Sequence, residues 1–346
     1  MTEQSPAYRA LALQTRCDAV NGLGVDAARE QMQQSIKRIG RQVMASKGFV
    51  GQDTRLIVLP EYFLTSFPMG ESIPEWSALA ALQQNGPEYE ALGKVAQDAK
   101  VFLSGNAYEV DPHFPDLYFQ TSFIINDSGD IVLRYRRLQS LFAPSPWDVW
   151  DRYLEHYGED GVFPVADTEL GKLATIASEE ILYPEIARAL GARGAEVFLH
   201  STSEVGSPTL TPKDVGKRAR AFENNAYLVS ANSAGIAGIA IPEASTDGMS
   251  KIVDFNGLVQ CEAGYGETMV ANAELDLGAL RRWRRRPGMQ NMLARQKSGI
   301  FAGVYGDDHG RNALLDGKGQ PVVPDRAHFI KAQQGRIAKL QRDKLI

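Results

Sequence analysis

Three polar side chains stand where short apolar stretches of the sequence end. Glu61 ends the run LIVLPE, Arg137 ends IVLRYRR and Ser178 ends GKLATIAS. Each stretch has the length and composition of a buried β-strand. Because ligand sites of α/β proteins favour the carboxyl ends of sheet strands, we expect the three side chains to share one site.

The three residue types have complementary chemistry. A carboxylate at the mouth of a buried strand, here Glu61, suits a general base. A fixed cation such as Arg137 can stabilise the oxyanion that develops on a reacting carbonyl group. A strand–turn–helix elbow at Ser178 would present the hydroxyl beside backbone N–H groups, which suits a nucleophile and an oxyanion hole.

Each residue also has a purely structural interpretation. Glu61 could cap a helix or pair with an arginine, and Arg137 could lie on the surface of an edge strand. Ser178 could be an ordinary N-cap serine, because glutamates follow it in the first turn. The residue types alone therefore leave both interpretations open.

The surrounding sequence alternates β-rich runs with amphipathic segments, as expected for a mixed sheet in an α/β protein. Helices are predicted at 25–46, 87–100, 183–194 and 212–225. Strands are predicted at 8–15, 54–61, 101–110, 118–126, 131–138, 171–178, 195–202, 226–235, 250–257 and 267–277.

Composition excludes several other classes of protein. The formal net charge of −5 argues against nucleic-acid binding, and we interpret the run Arg281, Arg282, Arg284, Arg285 and Arg286 as salt-bridging or subunit-contact residues. Two cysteines in 346 residues do not form a disulfide framework. No run approaches the ~20 apolar residues that span a bilayer, and MTEQSPAYRA lacks a signal-peptide core. We expect a soluble cytoplasmic protein.

Three segments together resemble the motifs of the nitrilase, or carbon–nitrogen hydrolase, superfamily. LIVLPEYF is similar to the family's glutamate motif, and GDIVLRYRRLQ to its lysine motif. LATIASEEILYPEIARALGARGA is similar to its cysteine motif. RARAFENNAYLVSANSAG and GMSKIVDFNGLVQCEAGYGETMVANAELDL resemble two further family blocks. The resemblance implies a four-layer α–β–β–α sandwich, a hydrolase domain over 1–287 and a tail over 288–346 that packs on the domain or on a neighbouring subunit. It further implies a homodimer or larger homo-oligomer and no metal or cofactor.

The sequence departs from the family at the catalytic positions. The resemblance aligns Ser178 with the nucleophilic cysteine, Arg137 with the lysine and Gln139 with a histidine. Serine is a weaker nucleophile than cysteine near neutral pH, because a thiol supplies some thiolate there. Arginine is a poor proton donor because its pKa exceeds ~12. We therefore expect weak or altered catalysis, with Glu61, Arg137 and Ser178 as the catalytic set.

Substrate-binding residues are predicted beside this set and in the loop after Arg137. Tyr62 and Glu179 follow Glu61 and Ser178 directly. Family members often carry a second glutamate in that loop, where Glu155 and Glu159 are the candidates. The aromatic residues of the loop could line a pocket or simply pack; they are Trp147, Trp150 and Tyr153.

Three functions remain open from the sequence. The first is hydrolysis of a small amide, nitrile or N-carbamoyl compound, with Ser178 as nucleophile or with Glu61 activating water. The second is a catalytically inactive relative that binds a small carbonyl ligand or a protein partner. The third is a structural oligomer whose pocket is filled by its own side chains.

Overall fold

The computed structural model describes residues 7–205, 207, 209–306 and 308–345. The strands are β1 (Ala7–Ala12), β2 (Cys17–Asp18), β3 (Thr54–Glu61), β4 (Leu82–Gln83), β5 (Phe102–Asp111), β6 (Phe114–Ile125), β7 (Ile131–Arg136), β8 (Ala166–Thr168), β9 (Gly171–Ala177), β10 (Val197–Ser201), β11 (Tyr227–Ala231), β12 (Ile236–Ala237), β13 (Lys251–Val253), β14 (Val259–Glu262) and β15 (Asn272–Asp276). The α-helices are α1 (Val25–Val50), α2 (Ile73–Ala80), α3 (Pro87–Ala99), α4 (Trp150–Tyr157), α5 (Pro184–Ala192), α6 (Pro212–Glu223), α7 (Leu277–Arg285), α8 (Met292–Arg295), α9 (Ala302–Tyr305) and α10 (Arg326–Arg342).

Two large sheets form the centre of the fold. The first has the strand order β15-β1-β3-β5-β6-β7, with β4 paired to β5, and the second has the order β14-β13-β11-β10-β9-β8. Strands β1, β3 and β5 are parallel, as are β9, β10 and β11. Hairpins β5–β6–β7 and β11–β13–β14 add antiparallel strands at the edges. This mixed pairing agrees with the predicted alternation of strands and helices.

Alternating side chains of the first sheet pack into two separate cores. Leu56 and Val58 of β3 belong to the core that also contains Ile176 and Val229 of the second sheet. Residues of opposite parity, such as Ile57, pack with helices α1, α2 and α3 instead. A strand covered on both faces is apolar throughout, which explains the continuous apolar run that predicted β3.

Helices cover the outer face of each sheet. Met32 and Ile36 of α1 and Leu92 of α3 pack on the first sheet. Leu190 of α5 and Ala221 of α6 belong to the core of the second sheet. The result is the four-layer α–β–β–α sandwich that the sequence analysis expected.

Helix α2 has no counterpart among the predicted helices, although its start carries a recognisable signal. Ser72 and Glu75 form a capping box, and the first turn contains Pro74. The helix buries Trp76 completely. A helix of eight residues has only about two turns, which is too short for the spacing of apolar residues to reveal it.

Arg281 and Arg284 of the arginine run, and part of the segment after it, contact the sandwich. Arg281 pairs with Glu196 at 2.7 Å, and the Arg284 guanidinium donates to backbone carbonyls, including that of Asn225 at 2.8 Å. Farther along, Leu314 is buried in a cluster with Val149. Within the described part of the chain, no helix is long and apolar enough to cross a membrane.

Candidate active site

Glu61 is the last residue of β3 and is almost fully buried, with 2% of its side chain exposed. Its Oε1 accepts hydrogen bonds from Gln120 Nε2 at 2.5 Å and from Arg137 Nη1 at 3.3 Å. Its Oε2 accepts the backbone N–H of Ser203 at 3.1 Å. The β3–β5 pairing shifts register between Val58 and Glu61, so the strand is irregular where the carboxylate leaves it.

Arg137 follows β7 directly, and four of the five N–H groups of its guanidinium donate to acceptors within the protein. Nε donates to the carbonyl of Gln139 at 2.6 Å, and Nη1 to Gln120 Oε1 at 2.6 Å as well as to Glu61. Nη2 pairs with the carboxylate of Glu179. Burial opposes the charged form, but the neighbouring Tyr62 and carboxylates raise the pKa of Arg137 overall. Arg137 is therefore a fixed cation held in one orientation.

Ser178 occupies a tight elbow at the end of β9. Its backbone has φ 45°, in the left-handed region, and a short 3-10 helix runs from Ser178 to Leu182. Only 4% of Ser178 is exposed. A non-glycine residue in this conformation is strained by about 1–3 kcal/mol and persists only where surrounding contacts hold it.

His200 is one of those contacts. Its Nε2 lies 2.8 Å from the carbonyl oxygen of Ser178, and its Nδ1 lies 2.8 Å from Ser230 Oγ. A carbonyl only accepts, so Nε2 carries the proton and Nδ1 accepts from the serine hydroxyl. Burial, and next the positive charge of Lys217, hold the pKa of His200 well below its usual value. The imidazole is therefore neutral and fixes the elbow.

Glu180 joins the elbow to the end of β7. Its carboxylate accepts the backbone N–H groups of Leu138 at 2.7 Å and Gln139 at 2.9 Å, and the hydroxyl of Tyr135 at 2.8 Å. Together with the Arg137–Glu179 pair, this clamp brings the strand end of Arg137 against the turn that carries Ser178. Glu180 thus positions two of the predicted residues.

Lys213 is a residue of the site that the sequence analysis did not single out. It is half-buried in the first turn of α6, and its Nζ lies 3.5 Å from Ser178 Oγ and 3.5 Å from Thr202 Oγ1. The capping pattern Thr211-Pro-Lys-Asp214 fixes the start of α6. That pattern could have located Lys213 at a helix start, but not its proximity to Ser178, which is 35 residues earlier.

Tyr62, which follows Glu61 directly, contacts Cys17. Tyr62 also has a left-handed backbone, φ 56°, and its ring stacks on Tyr108 with centroids 5.5 Å apart. The thiol of Cys17 donates to the carbonyl of Tyr62 at 2.9 Å. Burial raises the pKa of Cys17 to about 12, so this thiol stays protonated and is a poor nucleophile near neutral pH.

The remaining predicted residues lie elsewhere. Trp147 Nε1 donates to the carbonyl of His309 at 2.9 Å, and its ring packs against Trp150 at 5.0 Å. Tyr153 is buried in the same cluster as Val149. The side chains of two loop glutamates are exposed, on α4 and on the short helix after it; they are Glu155 and Glu159. No contact among the described residues links them to Glu61, Arg137 or Ser178. Glu179, in contrast, is in direct contact with Arg137.

The fold resembles solved structures, and the sequence resembles known hydrolases. Saccharomyces cerevisiae Nit3, described as a member of branch 10 of the nitrilase superfamily, superposes with a TM-score of 0.59 over 81% of this chain and 93% of its own, at 22% identity. A cysteine-to-alanine mutant of the amidase from Nesterenkonia sp. AN1, in complex with butyramide, gives a TM-score of 0.56 over 86% and 96% of the two chains, at 18% identity. These structures share the fold.

Sequence similarity extends to curated hydrolases. The formamidase of Pseudomonas syringae pv. syringae strain B728a is 29% identical over 261 residues, which are 75% of this chain and 70% of the relative. The sequence model described as Carbon-nitrogen hydrolase matches residues 25–285, which is most of the chain and includes Glu61, Arg137, Ser178 and Lys213. The chain therefore belongs to the carbon-nitrogen hydrolase family.

Proposed function

We propose that this protein hydrolyses a small amide and that Ser178 is the nucleophile. The observation that carries the proposal is the backbone of Ser178, whose φ of 45° at the end of β9 is the conformation of a nucleophile elbow. A strained non-glycine backbone persists only where surrounding contacts hold it, and such strain concentrates at functional sites. The formamidase relative and the butyramide complex of the Nesterenkonia amidase favour amides as the substrate class.

In this proposal the buried side chains of Glu61 and Arg137 contribute because hydrogen bonds hold them in fixed positions. Hydrogen bonds from Gln120 and from the Ser203 N–H hold Glu61, and Glu61 in turn helps to fix Arg137. A cation with no rotational freedom can stabilise charge that develops on the carbonyl oxygen without reorganising. The Glu61–Arg137 pair thus supplies electrostatic stabilisation.

Turnover is expected to be slow compared with that of a cysteine enzyme. The Ser178 hydroxyl must lose its proton during attack, whereas a thiol already supplies some thiolate near neutral pH. The Arg137 guanidinium cannot exchange protons with the leaving group, because arginine stays charged in proteins. Nitriles and N-carbamoyl compounds are the next substrate classes to test.

Ligand binding without turnover is the second candidate function. It is favoured by the internal hydrogen bonds of Arg137, which occupy Nε, Nη1 and part of Nη2 and leave one N–H group for a ligand. A pocket with these groups could still hold a carbonyl ligand. Hydrolysis and binding differ in whether ammonia appears.

The test is ammonia release from formamide, butyramide, simple nitriles and N-carbamoyl amino acids. Wild type should release ammonia slowly from at least one amide, and Ser178→Ala should reduce that rate to background. Ser128→Ala is the matched control, because Ser128 is exposed in the turn before β7. Saturable binding of the same amides with no ammonia release would support the binding function instead.

A further inference from the structure

We infer that Lys213 is the acid–base partner of Ser178, so that the two side chains form a serine–lysine pair. Lys213 Nζ lies 3.5 Å from Ser178 Oγ. Among the described residues, Lys213 carries the one titratable side chain within hydrogen-bond distance of that oxygen. The inference rests on the proposed function, because it assigns the proton transfers of the same nucleophile.

Glu61 is a poorer candidate for this role. Its Oε1 already accepts two hydrogen bonds, from Gln120 and Arg137, and its Oε2 accepts the N–H of Ser203. No hydrogen bond in the described parts of the chain links Glu61 to Ser178. Glu61 is instead committed to holding Arg137.

Lys213 differs from the two other lysines behind the site. Lys217 is fully buried and paired with Glu204, and Lys251 is buried between Asp214, at 2.7 Å, and Glu262, at 2.5 Å. Both have the carboxylate partners that a structural lysine requires. No carboxylate of a described residue pairs with Lys213, whose Nζ donates to the hydroxyls of Ser178 and Thr202.

The position of Thr202 supports the assignment. Its Oγ1 lies 3.5 Å from Lys213 Nζ, so Lys213 is held between two hydroxyls at the mouth of the second sheet. Thr202 is fully buried at the end of β10, and its backbone N–H donates to the carbonyl of Ala231 at 2.9 Å. A second, rigidly held hydroxyl keeps the amine directed at Ser178.

The proton and electron balance is complete with these two residues and water. In its unprotonated form, the Lys213 amine takes the hydroxyl proton while Ser178 Oγ bonds to the amide carbon. Lys213 returns that proton to the departing nitrogen as the C–N bond breaks, and ammonia leaves. Water then attacks the serine ester, giving one proton to Lys213; the ester C–O bond breaks, and Ser178 regains its proton. An amide and water become a carboxylic acid and ammonia.

The experiment measures the activation of Ser178 directly. Wild type, Lys213→Met, Lys213→Arg and the control Lys172→Met are treated with an alkyl fluorophosphonate, and the modification of Ser178 is followed by mass spectrometry. Lys172 lies exposed on β9, the same strand that ends before Ser178. Thermal unfolding of each variant shows that it is folded, and formamide hydrolysis is measured in parallel.

If Lys213 is the base, labelling of Ser178 falls by about 10²- to 10⁴-fold in both Lys213 variants and is unchanged in Lys172→Met. Arginine keeps the charge but cannot accept the proton, so equal labelling of wild type and Lys213→Arg would overturn the inference. Absent labelling of Ser178 in wild type, or equal labelling in Lys213→Met, would also overturn it. Lys213-dependent labelling without release of ammonia from any amide would instead contradict the proposed function and leave the pair intact.

Discussion

Arg137 Nη1 lies 3.3 Å from Glu61 Oε1, and the two side chains are 6% and 2% exposed. The pair joins the end of β7 to the end of β3, two strands that are not neighbours in the first sheet. Gln120 on the intervening β6 contacts both partners. The Glu61–Arg137 pair is therefore a buried ion pair whose desolvation cost is offset by additional hydrogen bonds.

Removing one partner of this pair should destabilise the protein strongly. We expect Arg137→Met to lower the free energy of unfolding by about 3–5 kcal/mol, because Glu61 and Glu179 would lose their shared cation. Arg282→Met is the matched control, since Arg282 is 74% exposed and its pair with Asp276 should contribute less than about 1 kcal/mol. Urea unfolding measures both changes. Similar decreases in the free energy of unfolding would show that the buried Glu61–Arg137 pair stabilises the protein no more than an exposed pair.

The strained backbone of Ser178 predicts an unusual effect of glycine. Ser178→Gly should be more stable than Ser178→Ala by about 1 kcal/mol, because glycine adopts φ 45° without a steric penalty. Both variants lack the hydroxyl, so both should be inactive. Thermal unfolding compares them, and an alanine variant as stable as the glycine variant would argue against strain at this elbow.

The buried His200 predicts a loss of stability in acid. The folded pKa is depressed, so below the unfolded pKa of ~6.5 the unfolded chain binds a proton that the native protein does not. Unfolding should therefore become easier as pH falls from 7.5 to 5.5, by on the order of 1 kcal/mol. His200→Gln should remove most of this dependence, whereas the exposed His156→Gln should not. An unchanged pH dependence in His200→Gln would place the acid sensitivity elsewhere.

Exposed apolar side chains late in the chain predict self-association. Met289, Ile300 and Val304 are 82%, 70% and 80% exposed. All three fall in the sequence stretch 289–304, and an exposed apolar patch commonly marks an interface. We expect sedimentation velocity to show a species larger than the 38.0 kDa chain and expect Met289→Asp with Val304→Asp to shift it to one chain. Phe49→Asp, on α1, is the control; a single-chain wild type would contradict the prediction.

The fold was predictable because the central strands of the two sheets are covered on both faces. The run 54–61 is apolar in both parities, and β3 occupies the predicted range, Thr54–Glu61. Ser178 could be placed at an elbow because β9 ends one residue before it and Pro184 begins the next α-helix. Such features are local, so they can be detected in the sequence without knowledge of tertiary contacts.

Contacts between distant segments could not be predicted in the same way. The side chain of Arg137 finds its acceptors on β6, β3 and the elbow, and Lys213 reaches Ser178 from a helix whose rotation the apolar pattern leaves undefined. Glu155 was predicted to bind substrate, but the sequence of a loop does not indicate whether a side chain faces the site or the solvent. Its side chain is exposed on α4, and its proposed role in substrate binding stays a prediction.

Restoring the family's cysteine and lysine should show whether the site still works as one unit. We expect Ser178→Cys to change ammonia release from formamide little on its own, and Arg137→Lys to lower it, because an ammonium cannot keep the hydrogen bonds of the planar guanidinium. The double variant should exceed the sum of the two, because residues that act together are not additive. Steady-state ammonia release by the four proteins measures this coupling. Additive effects would indicate that the two positions no longer cooperate.

The central claim is that Ser178 forms a covalent ester with the acyl group of the substrate. It is tested most directly by rapid acid quench of the protein with p-nitrophenyl butyrate, followed by peptide mass spectrometry. Ser178→Ala and Ser128→Ala are treated in the same way. We predict a butyryl group on Ser178 in wild type and in Ser128→Ala, and none on the corresponding peptide of Ser178→Ala. Release of p-nitrophenol at the wild-type rate by Ser178→Ala, with Ser178 unmodified in wild type, would contradict the account.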